Sequence, residues 1–420
     1  MINSVKFDFN DLFILDMANN HQGFVEHGQR IIQAFAPVIK EAGVKTAIKF
    51  QFRHLETFIH PDFRKSTDNK HIPRFLSTRL SEEQYAELLG EAKRAGFITI
   101  ITSFDEESVE MAKRLGVEIL KVGSCSAKDW PLLEKMADMG KPVICSTAGL
   151  LIDEVDDLIS FFGKRMVNFA LMHCVAIYPT PKDKLNLQRI SDFKKRYPDI
   201  IIGFSTHEDP ANLEIVKMAY AKGARIFEKH IGISTKKIKL NGYSSTPEQL
   251  KAWLESYKEA VAMNGAGKDF KPEKSEIESL KSLMRGVYAK NDIFHGKLIR
   301  YEDIFFAIPL QEGQLESGVI KKGNWRGGLF AEKNYKAGEP ISALVLPAEL
   351  SEREIIYKAI HEVKGILGEA RIAPGYESSV EISHHYGLRN FFQIGAFIIT
   401  CINKEYCKKL IVLLPGQIHP

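Results

Sequence analysis

Eight short apolar runs, each followed by a stretch with helical spacing and three of them delivering His173, His207 or His230, fill the first 265 residues of this 420-residue chain. In order they are FILDM (Phe13 to Met17), TAIKFQF (Thr46 to Phe52), FITIITSF, VEILKVGS, PVICSTAG, FALMHC, IIIGFS and RIFEKH. Near-continuous apolar runs of this length suit strands buried on both faces, and strands alternating with helices form parallel sheets. Helical signals flank them: SEEQYAELLGEAKRAG opens on a Ser-x-x-Gln capping box and ends at Gly96. Eight such units in this length are the size of a closed (β/α)8 barrel. A doubly wound open sheet is the alternative, but its first strand would usually lead into a Gly-rich phosphate loop, and ANNHQG is not one.

Beyond the barrel, expected over 1–265, the Gly, Lys and Pro-rich stretch within 266–281 reads as a linker. Residues 282–347 hold strand-length runs broken by turn signals, which suits a small β-rich domain. Two pieces there, GVYAKNDIFHGKLI and GLFAEKNYKAGEPI, share a loose pattern that reads as an internal two-fold repeat. The last segment, 348–420, opens with the helix SEREIIYKAIHEVKG and stops after an apolar run, as expected of a chain cut inside a β domain. The stretch from Arg53 to Arg79 reads as a long polar insertion, and loops of that length are more often functional than idle.

Composition excludes several classes. The chain is 45% hydrophobic and 26% charged with a net charge of +4, ordinary for a soluble globular protein. Its basic residues are scattered, so nothing supports a nucleic-acid surface. The five cysteines are irregularly spaced and form no CxxC pair, which argues against a disulfide framework or structural zinc and for a reducing compartment. The N-terminus lacks a signal-peptide pattern and no long apolar run occurs, so a cytoplasmic location without membrane contact is expected.

A barrel carries its chemistry at the C-terminal ends of the strands. That edge is expected to receive Asp16, Lys49, Gln51, Lys121, Ser124, Ser146, His173, Ser205, His207, Glu228 and His230. Two lysines on separate strands with serine hydroxyls nearby make a clamp for phosphate and carboxylate; solvated side chains at strand ends are the plainer reading of each alone. His207 and His230, at the ends of neighbouring strands, either share a divalent metal with Glu228 close by or form a hydrogen-bonded structural pair. His173 has apolar surroundings and reads better as a packed core histidine. Cys125, Cys145 and Cys174 read as small buried hydrophobes. His384 and His385, adjacent on a strand, would point to opposite faces and not share a metal.

The ordered set NNHQG, KFQ, SFDEESVEMAKRLGVEILKVGS, KPVICSTAG, LMHCVAIYPTP, GFSTHED and FEKHIG, spread over residues 11–235, resembles the sialic acid synthase family, the phosphoenolpyruvate-condensing, N-acetylneuraminate synthase-like transferases that make nonulosonic acids. The resemblance implies a (β/α)8 barrel followed by a SAF (antifreeze-like) domain, of which GVYAKNDIFHGKLI looks like the beginning, and a homodimer in which that domain is swapped onto the partner's barrel. It implies condensation of phosphoenolpyruvate with an aldose. Carried over by position, His207 and His230 match the family's ligands for a divalent metal, Mn2+ or Mg2+. Lys49, Lys121, Ser124, Ser146 and Ser205 match phosphoenolpyruvate contacts. Glu228 matches an acidic residue near the metal, Asp16 stands where the family has Glu, and Gln51, Thr102 and Tyr178 match positions lining the sugar pocket.

Four departures stand out: Ser126 for an acidic residue, Ala176 for Asn, Leu240 or Asn241 for an Asp that holds the acceptor, and Ile308 for the Arg of the capping domain. Three of them fall on the sugar side, so an acceptor other than N-acetylmannosamine is expected. The tail from Glu381 resembles the approach to a cupin metal motif, which would make 348–420 the start of a truncated cupin-like domain. Two rival readings remain: a Schiff-base keto-acid aldolase built on a barrel lysine, and a non-catalytic sugar-binding subunit.

Overall fold

The computed structural model describes residues 6–265, 270–319, 329–342, 344–345 and 350–419. Eight parallel strands close into a barrel in sequence order: β1 (Leu12–Asp16), β2 (Lys45–Phe52), β3 (Ile98–Ser103), β4 (Ile119–Val122), β5 (Val143–Ser146), β6 (Phe169–Cys174), β7 (Ile201–Thr206) and β8 (Ile226–His230). β8 returns to β1 with Asp16 opposite His230, while Asp16 lies opposite Lys49 on the other side. The fold is a (β/α)8 barrel, as the strand–helix alternation required.

Strand alternation divides the core in two. Leu12, Ile14, Ala47, Ile100, Ile119, Ile144, Ala170, Met172 and Ile226 fill the barrel interior. The intervening residues, among them Phe13, Ile48, Phe50, Leu120, Leu171 and Phe227, pack outward under the helices. Those helices include α1 (Val25–Ala42), α4 (Glu82–Arg94), α5 (Glu106–Arg114), α6 (Trp130–Ala137), α7 (Ile152–Lys164), α8 (Gln188–Arg196), α9 (Glu214–Ala221) and α10 (Pro247–Asn264). The capping box is present at α4: Ser81 accepts from the Gln84 amide and Gln84 reaches back to Ser81. The insertion between β2 and α4 is more ordered than its polarity suggests, because α2 (Leu55–Phe58) and α3 (His71–Ser77) lie within it.

The barrel unit runs from Met1 to Phe270, and a second compact unit from Lys271 to Pro420. Part of the stretch expected as linker is helical: α11 (Lys274–Lys281) has no buried residue. In the second unit, β9 (Gly286–Ala289) pairs with β11 (Ile304–Ala307), and β10 (Leu298–Ile299) with β12 (Leu329–Ala331), which also pairs with β13 (Leu344–Val345). The internal repeat has a structural counterpart. Ile293 and Tyr335, equivalent positions of the two pieces, exchange backbone hydrogen bonds of 2.8 Å in both directions. Likewise Gly296 donates to the Ala331 carbonyl as Gly338 does to that of Ala289. These reciprocal bonds make the pieces a pseudo-two-fold pair around Val287, Ile293, Ile299, Tyr335 and Ile341.

A separate small core joins α12 (Glu352–Glu369) to the antiparallel sheet of β14 (Ser379–Ser383), β15 (Ala396–Asn403) and β16 (Cys407–Val412). His384 and His385 fall in the turn after β14, not on a strand, and His385 bonds Ser383 Oγ. No helix among the described residues is long and apolar enough to cross a membrane.

Candidate functional site

Inward-facing positions on the barrel staves change from apolar to charged as they approach the C-terminal mouth. On β1 the series is Leu12, Ile14, Asp16; on β2, Ala47, Lys49, Gln51; on β8, Ile226, Glu228, His230. The period of two that buries the first members brings the last ones together at the barrel mouth.

Four charges meet there, all essentially buried. Lys49 Nζ lies 2.8 Å from Asp16 Oδ2 and 3.4 Å from Glu228 Oε1, with Thr102 Oγ1 also at 3.4 Å. Lys121 Nζ lies 2.5 and 2.6 Å from the two oxygens of Glu228, which also accepts from Ser205 Oγ at 2.9 Å. Burial alone would raise both carboxyls, but the neighbouring ammonium groups outweigh it. Glu228, facing Lys121 and Lys49, is held well below the usual carboxylate range, and Asp16, facing Lys49, is also lowered. Burial pulls both lysines down. Asp16 and Glu228 more than reverse this at Lys49, while at Lys121 burial and repulsion from Lys49 prevail over Glu228. The set carries two positive and two negative charges.

The two imidazoles stand beside this cluster, with ring centres 5.2 Å apart. His207 Nδ1 is 2.9 Å from the Val175 carbonyl, which can only accept, so Nδ1 carries the proton and Nε2 keeps its lone pair. His230 Nδ1 faces Asp16 Oδ2 at 3.4 Å. Burial, then the proximity of His230, brings His207 down to about 3, and burial likewise lowers His230. Both rings are therefore neutral at pH 7, the form that binds a metal. A metal about 2 Å from a ring nitrogen lies about 3 Å from that ring's centre, so two rings sharing it can stand up to about 6 Å apart. Their separation fits. Among the described residues no group of three or more His, Cys, Asp or Glu side chains is arranged for a metal. A cation held by these two rings would complete its shell with oxygen ligands from water and substrate, as Mg2+ commonly does.

Ser205 shares Glu228 with Lys121, and Ser146 ends β5, the stave paired with the β4 of Lys121. Ser124 Oγ accepts from the Ala148 amide at 2.9 Å, and Ser146 Oγ is buried with no partner among the described residues. Gln51 Oε1 accepts from Arg53 at 3.1 Å. Tyr178, half-exposed in the loop after β6, lays its ring 4.3 Å from that of His207. Of the residues assigned to this edge from the sequence, His173 is the one that does not face it. Odd positions of β6 point outward, so His173 stacks on Phe204 and bonds the Leu185 carbonyl.

Cys174 takes the inward place instead. Its sulfur is 4.0 Å from His207 Nδ1, and its environment includes Ser124, Ser205 and Lys121. Burial raises its pKa, so it stays a thiol. The expectation of small buried hydrophobes thus holds for Cys145 alone: Cys174 is buried but belongs to the polar cluster, and Cys125 is exposed. Alternation along FALMHC would have signalled the exchange. Tyr243, set edge-on to His230 with ring centres 5.2 Å apart, and Arg53 were not foreseen. Tyr243 lies in a loop without periodicity, whereas Arg53 continues the inward parity of Lys49 and Gln51.

Of the four departures, Ser126 is buried just after β4, with its amide bonded to Gly123. Asn241 touches Asn20 at 3.5 Å, and Asn20 ties the first loop to the Ile231 carbonyl and Ser244. Ile308, in the second unit, is exposed.

Residues 37–269 match the model of the NeuB family. The human N-acetylneuraminate-9-phosphate synthase is 32% identical over 52% of this chain, and the match spans 61% of that enzyme's length. N,N'-diacetyllegionaminic acid synthase of Campylobacter jejuni is 25% identical over 79% of this chain and 98% of its own. Among solved structures, a Chromobacterium violaceum protein described as a candidate spore coat polysaccharide biosynthesis protein E superposes with a TM-score of 0.77. It is 42% identical, covering 79% of this chain and 98% of that one.

Proposed function

The chain belongs to the NeuB family, and on that premise we propose that it is a transferase joining phosphoenolpyruvate to an aldose, giving a nonulosonic-type 2-keto-3-deoxy sugar acid and phosphate. Its relatives named as N-acetylneuraminate-9-phosphate, legionaminic acid and pseudaminic acid synthases support a sugar-acid product. The observation that carries the reading is the convergence of two buried ammonium groups, two buried carboxylates and two neutral imidazoles on one barrel mouth.

Lys49 and Lys121 are the groups that hold the substrate's carboxylate and phosphate. A substrate anion competes with Glu228 for Lys121, and the carboxylate so released becomes able to take a proton. Ser146, whose hydroxyl lacks a protein partner among the described residues, donates to the phosphate together with Ser124 and Ser205. Gln51, Thr102 and Tyr178 line the side where the aldose lies.

In the reaction, C3 of phosphoenolpyruvate bonds to the aldehyde carbon, and the aldehyde oxygen becomes a hydroxyl on taking a proton. Water adds to C2 and gives its proton to Glu228 or Asp16. The C2–O bond to phosphate then breaks while the new C2 hydroxyl gives its proton to the departing phosphate, leaving a ketone. Held by His207 and His230, Mn2+ or Mg2+ would supply Lewis-acid polarisation of the aldehyde oxygen. Fixing both substrates in register removes several kcal/mol from the barrier, of the order found for well-oriented intramolecular reactions.

The buried Lys121, with its lowered pKa, favours one rival, a Schiff-base aldolase. Borohydride trapping of pyruvate on that residue would establish the rival. The proposed reaction is tested by phosphate release over a panel of aldoses. His207→Ala should abolish the metal-dependent part, and substantial turnover by metal-stripped protein would refute the assignment. A homodimer is the expected assembly, measurable by light scattering.

A further inference from the structure

Arg53 stands just past the end of β2, on the face that carries Lys49 and Gln51. Its guanidinium lies between two aromatic rings, 4.1 Å from the centre of Phe75 and 3.7 Å from that of Phe104. One terminal nitrogen donates to Gln51 Oε1 at 3.1 Å, while Nε is buried with no hydrogen-bond partner among the described residues. No carboxylate among them lies within ion-pair distance. The nearby Asp105 is already engaged by the His54 amide and by Ser108, and Arg79, which lines the same cleft, is paired with Glu56. Two flanking rings favour a cation but leave its in-plane N–H donors unsatisfied. A planar fork with free donors at the edge of a substrate cavity is built for a carboxylate or phosphate.

We propose that Arg53, steadied by Gln51, Phe75 and Phe104, binds an anionic group on the acceptor sugar, a carboxylate or phosphate ester remote from the aldehyde. This rests on the condensation proposed above and narrows its acceptor to acidic or phosphorylated aldoses. Phosphoenolpyruvate is the other source of such an anion. Four residues of extended chain, about 13 Å, separate Arg53 from Lys49, however, and the two lysines already hold that substrate's charges deeper in the barrel. The outer anion therefore belongs to the acceptor.

The test compares wild type with Arg53→Gln and Arg53→Lys at saturating phosphoenolpyruvate, using N-acetylmannosamine, its 6-phosphate and hexuronic acids as acceptors. Wild type should favour the charged acceptors at least ten-fold in kcat/KM. Arg53→Gln should raise the KM for them at least ten-fold while changing the KM for phosphoenolpyruvate less than two-fold, and Arg53→Lys, which keeps the charge without the fork, should fall between. A rise in the phosphoenolpyruvate KM instead would assign Arg53 to that substrate and overturn the proposal. Equal use of neutral and charged acceptors, with Arg53→Gln lowering only the Tm, would reduce the residue to a packing role and also overturn it. If no acceptor turns over, calorimetric titration with the sugar phosphate and with phosphoenolpyruvate separates the two questions. Sugar-phosphate binding that is lost in Arg53→Gln upholds the anion site while the condensation fails, and binding that does not depend on Arg53 refutes the site.

Discussion

Directly beside the two imidazoles, Glu208 follows His207 and Lys229 precedes His230, and the pair forms a 2.8 Å ion pair on the outward side of β7 and β8 with both side chains fully buried. Lys229→Met removes the ammonium and leaves, inside the helix layer, a carboxylate whose Oε2 already lacks a partner among the described residues. Removing one partner of a buried pair typically costs about 3–5 kcal/mol, whereas replacing both by uncharged groups is often close to neutral. Lys229→Met should therefore lose about 4 kcal/mol, and the Glu208→Gln/Lys229→Met double variant should regain at least about 2 kcal/mol of it. Denaturant unfolding of all four proteins at pH 7 measures the cycle, with fluorescence of Trp253, whose ring lies 5.9 Å from Lys229 Nζ, as a local probe. Because the pair joins the two strand ends that set the imidazole separation, Mn2+ affinity in calorimetry should follow the same order. A loss below about 1 kcal/mol in the single variant, or strictly additive effects in the double, would refute this reasoning.

At Gly203 a Cβ would stand 2.7 Å from Ile226 Cβ and 2.9 Å from the Ile226 carbonyl, inside the barrel. Gly203→Ala should thus cost about 1–3 kcal/mol in chemical denaturation, as overpacking does. His21 is buried and its pKa falls to about 4, first because of burial and then because of Arg74. The unfolded chain then binds more protons than the native one between pH 6.5 and about 4, so stability is full above about 6.5, declines as pH falls, and loses up to about 3 kcal/mol by pH 4. His21→Asn should flatten that part of the stability–pH curve. Glu228→Gln deprives Lys121 of its partner and removes the proton acceptor of the proposed reaction. Steady-state phosphate release should drop by about 100-fold or more.

Much of the architecture was legible because a period of two marks buried staves strongly. Lys49 and Gln51 were placed on one face by that rule, and the structure keeps them there. The same rule, applied to FALMHC, sends His173 outward, where it packs against Phe204 as the core histidine its apolar surroundings suggested, and Cys174 inward. Loop residues resisted for a different reason. Tyr243 and the aromatic slot around Arg53 owe their positions to packing between segments distant in sequence, and no local pattern encodes that. Polarity hid the short helices between Arg53 and Arg79, since propensity is weak over so few residues. NNHQG is instructive in reverse. It helped mark the resemblance, yet Asn20 ties two loops together and His21 accepts from the Gly23 amide, both architectural tasks.

The most direct test is mass spectrometry of the products, paired with phosphate assay, after incubating the protein with Mn2+, phosphoenolpyruvate and the aldose panel. One equivalent of phosphate is expected for each molecule of a new sugar acid whose mass is that of the aldose plus pyruvic acid. Phosphate released with no such acid, or pyruvate retained covalently on the protein, would contradict it.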